Sequence, residues 1–414
     1  MTTVCVGEEA IERLASFWTS AVGSPALVAM DTNTERAAGW RVVEALRGAG
    51  VEVEQLVLGQ GSGLRPTPDE VEAVRSRLTE DRVPVAVGSG VVTDIVRYAA
   101  HLDDREFLSV PTAASMDGYA SSMAALERDG VKVTHPARAP SAIFADPRVL
   151  ASAPGELTRA GLGDLLGKAT AHVDWLAAHL LYGEDYSAAA ARLVIEPLEF
   201  AARQTDAVLH GQPAAIEKLF DGLIQSGRAM AFVGSSRPAS GCEHHASHFW
   251  DLLASRGLRA QASHGLQVGY ATRFAMRLQR FAFDGGLPVL RRPVAVADPL
   301  GAEARRWLGQ PSAEIVAAVE EKAAGAADLG RWPADAASWE AMRSSIRPAL
   351  EMFSEVERAL TLAGIPDGPG FLGVDEAMLR ATFRYATRLR ARYTVIDLLD
   401  GQGMLDRAIE AMLG

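Results

Sequence analysis

The sequence predicts an α/β domain built on a parallel sheet, followed by a mostly α-helical domain. Three observations predict this. Short apolar runs alternate with amphipathic segments up to residue 150, the pattern of strands joined by helical crossovers. After Pro147 the texture changes to helical periodicity with few β-branched runs. The chain is 414 residues long, 48% hydrophobic and 22% charged, enough for two or three domains with sizeable cores. The division is therefore 1–150 and 151–414.

In the first part, Ala26–Met30 (ALVAM) reads as a buried strand ending at Asp31. Glu35–Gly48 reads as a helix, Val51–Leu58 as a strand and Glu70–Glu80 as a helix. Val83–Val87 (VPVAV) is a strand running into Gly88-Ser89-Gly90, with a helix starting near Val92 and covering Asp94–His101. Glu106–Val110 is a further strand, stopped by Pro111. In the second part, helical periodicity covers 160–181, 186–210, 213–230, 243–256, 311–326, 337–363 and 374–398. Residues 282–300 and 364–372 carry the Gly and Pro of loops.

Forty-one basic against 52 acidic residues give a net charge of −11, which disfavours a nucleic-acid or anionic-membrane surface. An anionic small substrate is not excluded, because a local basic pocket can oppose the global sign. The two cysteines, Cys5 and Cys242, exclude a disulfide framework and a four-cysteine zinc site. Any metal must rely mainly on histidines and carboxylates. Four of the nine histidines fall in one stretch, at 244, 245, 248 and 264. Acidic Glu8 and Glu9 and the lack of a basic-then-apolar pattern argue against a signal peptide. No apolar run approaches the ~18–20 residues of a membrane span, so the expected location is the cytoplasm.

Strand, Gly88-Ser89-Gly90, then helix is a unit that can cradle a phosphate. Glycines let the backbone approach, and the helix start offers free N–H groups. A plain βα turn has the same appearance, and the spacing is not the dinucleotide GxGxxG fingerprint. Asp94, placed in the first turn, suits the helix dipole. Asp31, at a strand end, can accept from ribose hydroxyls and favour NAD over NADP, or can simply cap Thr32-Asn33-Thr34.

His244 and His248 are spaced i, i+4 on a predicted helix, so their rings share a face. His264 opens the next helix, and Asp164 lies in Gly161-Leu162-Gly163-Asp164 near the start of another. One carboxylate and two or three imidazoles suit zinc, nickel or iron(II), with positions left open for catalysis. His245 points about 100° away from His244 and reads as a packing or outer residue. His172 and His179 read as helix-surface residues.

Several motifs together resemble the glycerol-1-phosphate dehydrogenases. These belong to the superfamily of iron-containing alcohol dehydrogenases and dehydroquinate synthases. The motifs are Val87-Gly88-Ser89-Gly90-Val91-Val92-Thr93-Asp94-Ile95, the run from Val110-Pro111-Thr112 to Asp117-Gly118-Tyr119-Ala120-Ser121, and Ser236-Arg237-Pro238-Ala239-Ser240-Gly241-Cys242-Glu243-His244-His245-Ala246-Ser247-His248. Asp164 to Lys168, Asp174-Trp175, Ser263-His264-Gly265 and Arg392-Tyr393-Thr394 extend the resemblance over nearly the whole chain, closest to the bacterial branch.

The resemblance implies a Rossmann-like N-terminal domain, a helical C-terminal domain and an active site in the cleft between them. It implies reversible NAD(P)H-dependent reduction of dihydroxyacetone phosphate to sn-glycerol 1-phosphate, in a homodimer or larger homo-oligomer. By position, Asp164, His244 and His264 match metal ligands, with Zn2+ first and Ni2+ or Fe2+ as alternatives. Gly88, Ser89, Gly90 and Asp94 match the pyrophosphate loop. Thr112 and Ser115 match contacts beside the nicotinamide, and Asp117 and Ser121 match substrate-side or nicotinamide-side positions. His248 matches an active-site histidine that is not a ligand, a candidate proton relay. The chain has Gly88-Ser89-Gly90-Val91 where wider relatives have GGGK, which leaves phosphate contact to backbone N–H groups.

The substrate phosphate needs cations. Arg237, Lys168 and Lys132 are the candidates, with Arg237 preferred for its planar fork. Lys168, one turn after Asp164, can also serve to balance its charge. The competing readings are a dehydrogenase of unphosphorylated polyols, a cyclising lyase that regenerates its NAD, and a non-catalytic sensor.

Overall fold

The computed structural model describes residues 2–59, 63–79, 81–128, 131–286, 299–325, 333 and 335–414. Two compact units emerge: Met1–Leu162 with Asp206–Arg228, and Gly163–Thr205 with Ala229–Gly414. The expected boundary after residue 150 falls ahead of the Gly155–Tyr182 helix. The first unit continues to Leu162, inside that helix, and takes in a later segment of the chain.

The first unit carries eight strands: β1 (Thr3–Val6), β2 (Ala26–Asp31), β3 (Val53–Leu58), β4 (Val83–Gly88), β5 (Leu108–Pro111), β6 (Met123–Arg128), β7 (Val131–Pro136) and β8 (Ala142–Ala145). Six form one sheet in the order β1-β8-β5-β4-β2-β3, all pairs parallel, and β6 and β7 form a separate antiparallel hairpin. Val28 and Met30 of β2 enter one core with Val85, Val87 and Phe144. Leu27 and Ala29 enter the opposite core with Ala86, Val92 and Ile95. A strand covered on both faces must be apolar at every position, which is why ALVAM shows no alternation. The chain turns outward in opposite directions after β2, which leads to β3, and after β4, which leads to β5. The C-terminal ends of β2 and β4 therefore flank the crevice where α/β sheets take ligands.

Three features of this unit were not expected. The strands β1 and β8 are only four residues each, and the β6–β7 hairpin follows a segment without alternation. The helix after β4 begins at Gly90, earlier than expected. The later segment Asp206–Arg228 brings Phe220 against Tyr119, ring centroids 5.5 Å apart.

The second unit is helical. The long run expected over 374–398 is broken into Glu376–Tyr385, a short turn at Ala386–Leu389, and Val395–Gly401. Thr394 starts the last of these with a capping box to Asp397, which ends the preceding turn. The run over 337–363 likewise divides into Ala336–Leu350 and Phe353–Leu362. Of the loop expected at 282–300, Ala282–Gly286 continues the preceding helix as a wide turn, and 287–298 lie outside the described residues. No helix among the described residues is long and apolar enough to cross a membrane.

Candidate functional site

The dinucleotide candidates gather in the first unit, at the ends of β2, β4 and β5. Ser89 sits at the N-cap of the Gly90–Leu102 helix in extended conformation, and no side chain caps that helix. Its first N–H groups are thus open to an anion. A Cβ on Gly88 would come 2.6 Å from Val92 Cβ, so glycine is required there, and one on Gly90 would come 2.9 Å from Met116 Cε, at the mobile end of that side chain. The backbone N–H of Thr112 donates to Gly88 O at 3.2 Å, which holds the end of β5 beside the loop. These features fit a pyrophosphate.

Asp31 ends β2 and caps the short Thr32–Thr34 helix, its Oδ1 accepting from the N–H groups of Asn33 and Thr34 at 2.8 Å. The register Ala29↔Ala86 brings Asp31 to the level of Gly88, beside the loop. Asp94 departs from expectation. It lies in the second turn, not the first, because the helix starts at Gly90. Its carboxylate is turned inward, taking the fully buried Arg97 at 2.6 Å and the Ala125 N–H at 3.2 Å. It pins the β6–β7 hairpin to the helix instead of facing a phosphate. Ser115 is buried and hydrogen-bonds the Tyr119 hydroxyl at 3.1 Å; because that hydroxyl donates to Ala113 O at 2.6 Å, Ser115 is the donor. Asp117 is half-buried ahead of the Gly118–Ala120 turn. Ser121 Oγ accepts from the Met123 N–H at 2.9 Å.

The metal candidates gather in the second unit. Asp164 comes from the Gly155–Tyr182 helix, His244 from Cys242–Ser255, and His264 is the first residue of His264–Phe281. Their ligand atoms all lie within 4.8 Å of one another, with His244 Nε2 3.6 Å from Asp164 Oδ1. The close approach depends on glycine: a Cβ on Gly163 would fall 2.5 Å from Gly265 O. Each ligand has a supporting partner. His244 Nδ1 hydrogen-bonds Glu243 Oε1 at 2.8 Å, which leaves Nε2 for an ion. His264 Nδ1 lies 3.2 Å from Ser247 Oγ, a hydroxyl that can accept from it or donate to it. Lys168 Nζ pairs with Asp164 Oδ1 at 2.6 Å. Such a donor set fits a borderline divalent cation. His248 joins the group, its ring centroid 6.3 Å from that of His244 and 5.9 Å from that of His264.

Glu243 and Asp174, behind the ligands, were not singled out from the sequence. Both are fully buried. Glu243 also accepts from Gly241 N–H at 2.6 Å and Thr170 Oγ1 at 2.8 Å. Asp174 accepts from the Cys242 N–H at 2.8 Å and from Gln279 Nε2 and the Val395 N–H, both at 2.9 Å. Burial, then the nearby Glu243 charge, raises the Asp174 carboxyl to about 6. Cys242 stands beside these two acids, its thiol pushed well above the ordinary range by burial. The signals in the sequence were the Glu immediately before His244 and the Asp174-Trp175 pair, neither of which was given a role.

The expected phosphate partners are corrected. Lys168 has no exposed surface and acts as the counter-charge of Asp164. The Arg237 guanidinium is buried and held by both carboxylate oxygens of Glu184, with Nη1 donating to Tyr393 O at 2.8 Å. Both are paired with carboxylates. The Lys132 side chain lies outside the described residues. His172, expected on a surface, is mostly buried near Tyr186, with ring centroids 6.1 Å apart.

Comparison with known proteins gives a consistent picture. Residues 5–154 match the family model for iron-containing alcohol dehydrogenases. A glycerol-1-phosphate dehydrogenase [NAD(P)+] of Bacillus licheniformis is 32% identical over 406 residues, covering 97% of this chain and 89% of that protein. One from Halalkalibacterium halodurans is 38% identical over 248 residues; that match spans 59% of this chain and 62% of the relative's length. In fold, the chain is similar to the crystal structure of glycerol dehydrogenase from Schizosaccharomyces pombe, with a TM-score of 0.61 at 17% identity over 100% of this chain and 91% of that one.

Proposed function

The chain belongs to the glycerol-1-phosphate dehydrogenase family, and from that premise we propose that it interconverts dihydroxyacetone phosphate and sn-glycerol 1-phosphate. The reaction is NAD(P)-dependent and acts on a CH–OH group. The observation that carries the reading is the convergence of Asp164, His244 and His264 on one point.

When bound, the metal ion supplies Lewis-acid stabilisation of charge developing on the substrate's C2 oxygen, and the dinucleotide supplies the hydride. The chain's own residues do the rest. Glu243 holds His244 in the tautomer whose Nε2 is free, and Ser247 fixes the orientation of the His264 ring. Lys168 offsets the Asp164 charge, so that the buried carboxylate is tolerated before an ion arrives. His248, which shares a helix face with His244, delivers the proton to the C2 oxygen. The open helix start after Gly88-Ser89-Gly90 takes the pyrophosphate, and Asp31 at the end of β2 accepts from the adenosine ribose, which favours NAD(H) over NADP(H). Asp117 orients the substrate's free hydroxyl. We infer zinc as the resident ion, with nickel or iron(II) as alternatives for the same donors.

The test is an NADH-oxidation assay on metal-stripped protein resupplied with zinc, nickel or iron(II). Dihydroxyacetone phosphate should be consumed far faster than dihydroxyacetone, with one NADH oxidised per ketone reduced. Asp164→Asn and His264→Ala should stay folded yet lose metal and lower turnover by at least about two to three orders of magnitude. Full activity in either variant overturns the ligand assignment.

A further inference from the structure

With Lys168 and Arg237 both committed to carboxylates, a phosphorylated substrate still needs a cation in the second unit. Arg392 is one without a carboxylate. Its Nη1 donates to Ser240 O at 2.6 Å and its Nη2 to Ser236 Oγ at 2.5 Å, both neutral acceptors. No ion pair is formed by it among the described residues, whereas Arg237 has Glu184 and Lys322 has Asp397 at 2.8 Å. Burial, then the neighbouring Arg237 and Arg390, lowers its pKa to about 10 against the opposing pull of Glu184 and Glu243, and it stays cationic at neutral pH. Ser236 and Ser240 belong to the loop that leads into the helix bearing His244 and His248.

A second, independent observation lies next to it. His245 has no exposed surface, and neither of its ring nitrogens has a hydrogen-bond partner. The charges that bear most strongly on it are those of Arg392, Lys322, His248 and Arg237, none of them acidic. A buried imidazole normally finds a partner, and a buried guanidinium normally finds an anion. Here both lack one in the same place.

We propose that Arg392 and His245 form the subsite for the phosphate of the substrate, a phosphomonoester dianion, with Arg392 its principal cationic partner. This rests on the function proposed above. The two groups are of the right kind: a guanidinium whose remaining donors can meet phosphate oxygens, and an imidazole with no protein partner that can donate one N–H. The subsite explains how a chain of net charge −11 selects a dianionic substrate.

The test compares Arg392→Gln, Arg392→Lys and the parent holoenzyme. The ratio of kcat/KM for dihydroxyacetone phosphate over that for dihydroxyacetone should fall about 10- to 100-fold in Arg392→Gln, mostly through KM. Arg392→Lys should lie between the two. Inorganic phosphate should compete with dihydroxyacetone phosphate and raise the melting temperature of the parent, and should do neither in Arg392→Gln. An unchanged ratio, or equal stabilisation of parent and variant by phosphate, overturns the proposal. If Arg392→Gln does not fold, Arg392→Lys and the phosphate competition decide. If the parent does not reduce dihydroxyacetone phosphate at all, the functional reading fails, and the phosphate thermal shift still decides whether the anion site exists.

Discussion

Glu243 is fully buried against His244, and its position sets how that imidazole behaves. Its carboxylate receives the His244 Nδ1 proton and is itself fixed by Thr170 and Gly241. Partners of this kind typically set metal affinity within a factor of about 10 to 100. Glu243→Gln should therefore weaken metal retention by about that factor while the circular dichroism spectrum is kept, read by competition with a chelator; unchanged retention refutes the role. His172 offers a prediction of stability against pH. Burial lowers its pKa from 6.5 to about 4. Its stabilising contribution is fully present above pH 6.5 and is lost as pH falls toward 4, by up to about 3 kcal/mol. His172→Leu should show a shallower loss of stability over that window in denaturant titrations. At this scale the grouping of His244, His248 and His264 was legible, because i, i+4 spacing and Ser263-His264-Gly265 are local patterns. The fate of Arg237 was not, because its partner Glu184 stands 53 positions away in sequence.

Among elements, the Gly90–Leu102 helix does two jobs in its first two turns. Its start is left uncapped, and its second turn presents Asp94 to Arg97 and to β6. The two jobs make separable predictions. Asp94→Ala strands a fully buried guanidinium and should cost about 3–5 kcal/mol, with faster amide exchange in Met123–Arg128. Loss of NADH affinity without loss of stability would show instead that Asp94 faces the cofactor. ALVAM and VPVAV were legible as strands covered on both faces, and the edge strand β3 was legible as a six-residue run. The four-residue β1 and β8 carry too few residues to show a period, and where long helical runs break, at Thr394 and near Pro348, the cause is a cap or a proline inside otherwise continuous periodicity.

For the whole molecule, composition said that the chain is acidic and that its histidines cluster, and both statements hold. It could not say where charge is left over. That depends on which of the 41 basic side chains find a carboxylate in three dimensions, a property of contacts between distant segments. The fold class was legible because a change from strand–helix alternation to continuous helical periodicity spans hundreds of residues. Neither unit, however, is one continuous stretch. The first is completed only by Asp206–Arg228, which supplies the Phe220 ring that packs against Tyr119. A ribosome must therefore translate past Arg228 before the first unit can close. The earlier 163–205 segment, with Asp164 aboard, must wait for the histidines that follow it. Nascent chains stalled before residue 229 should thus remain open to protease in a region that resists it once synthesis has passed.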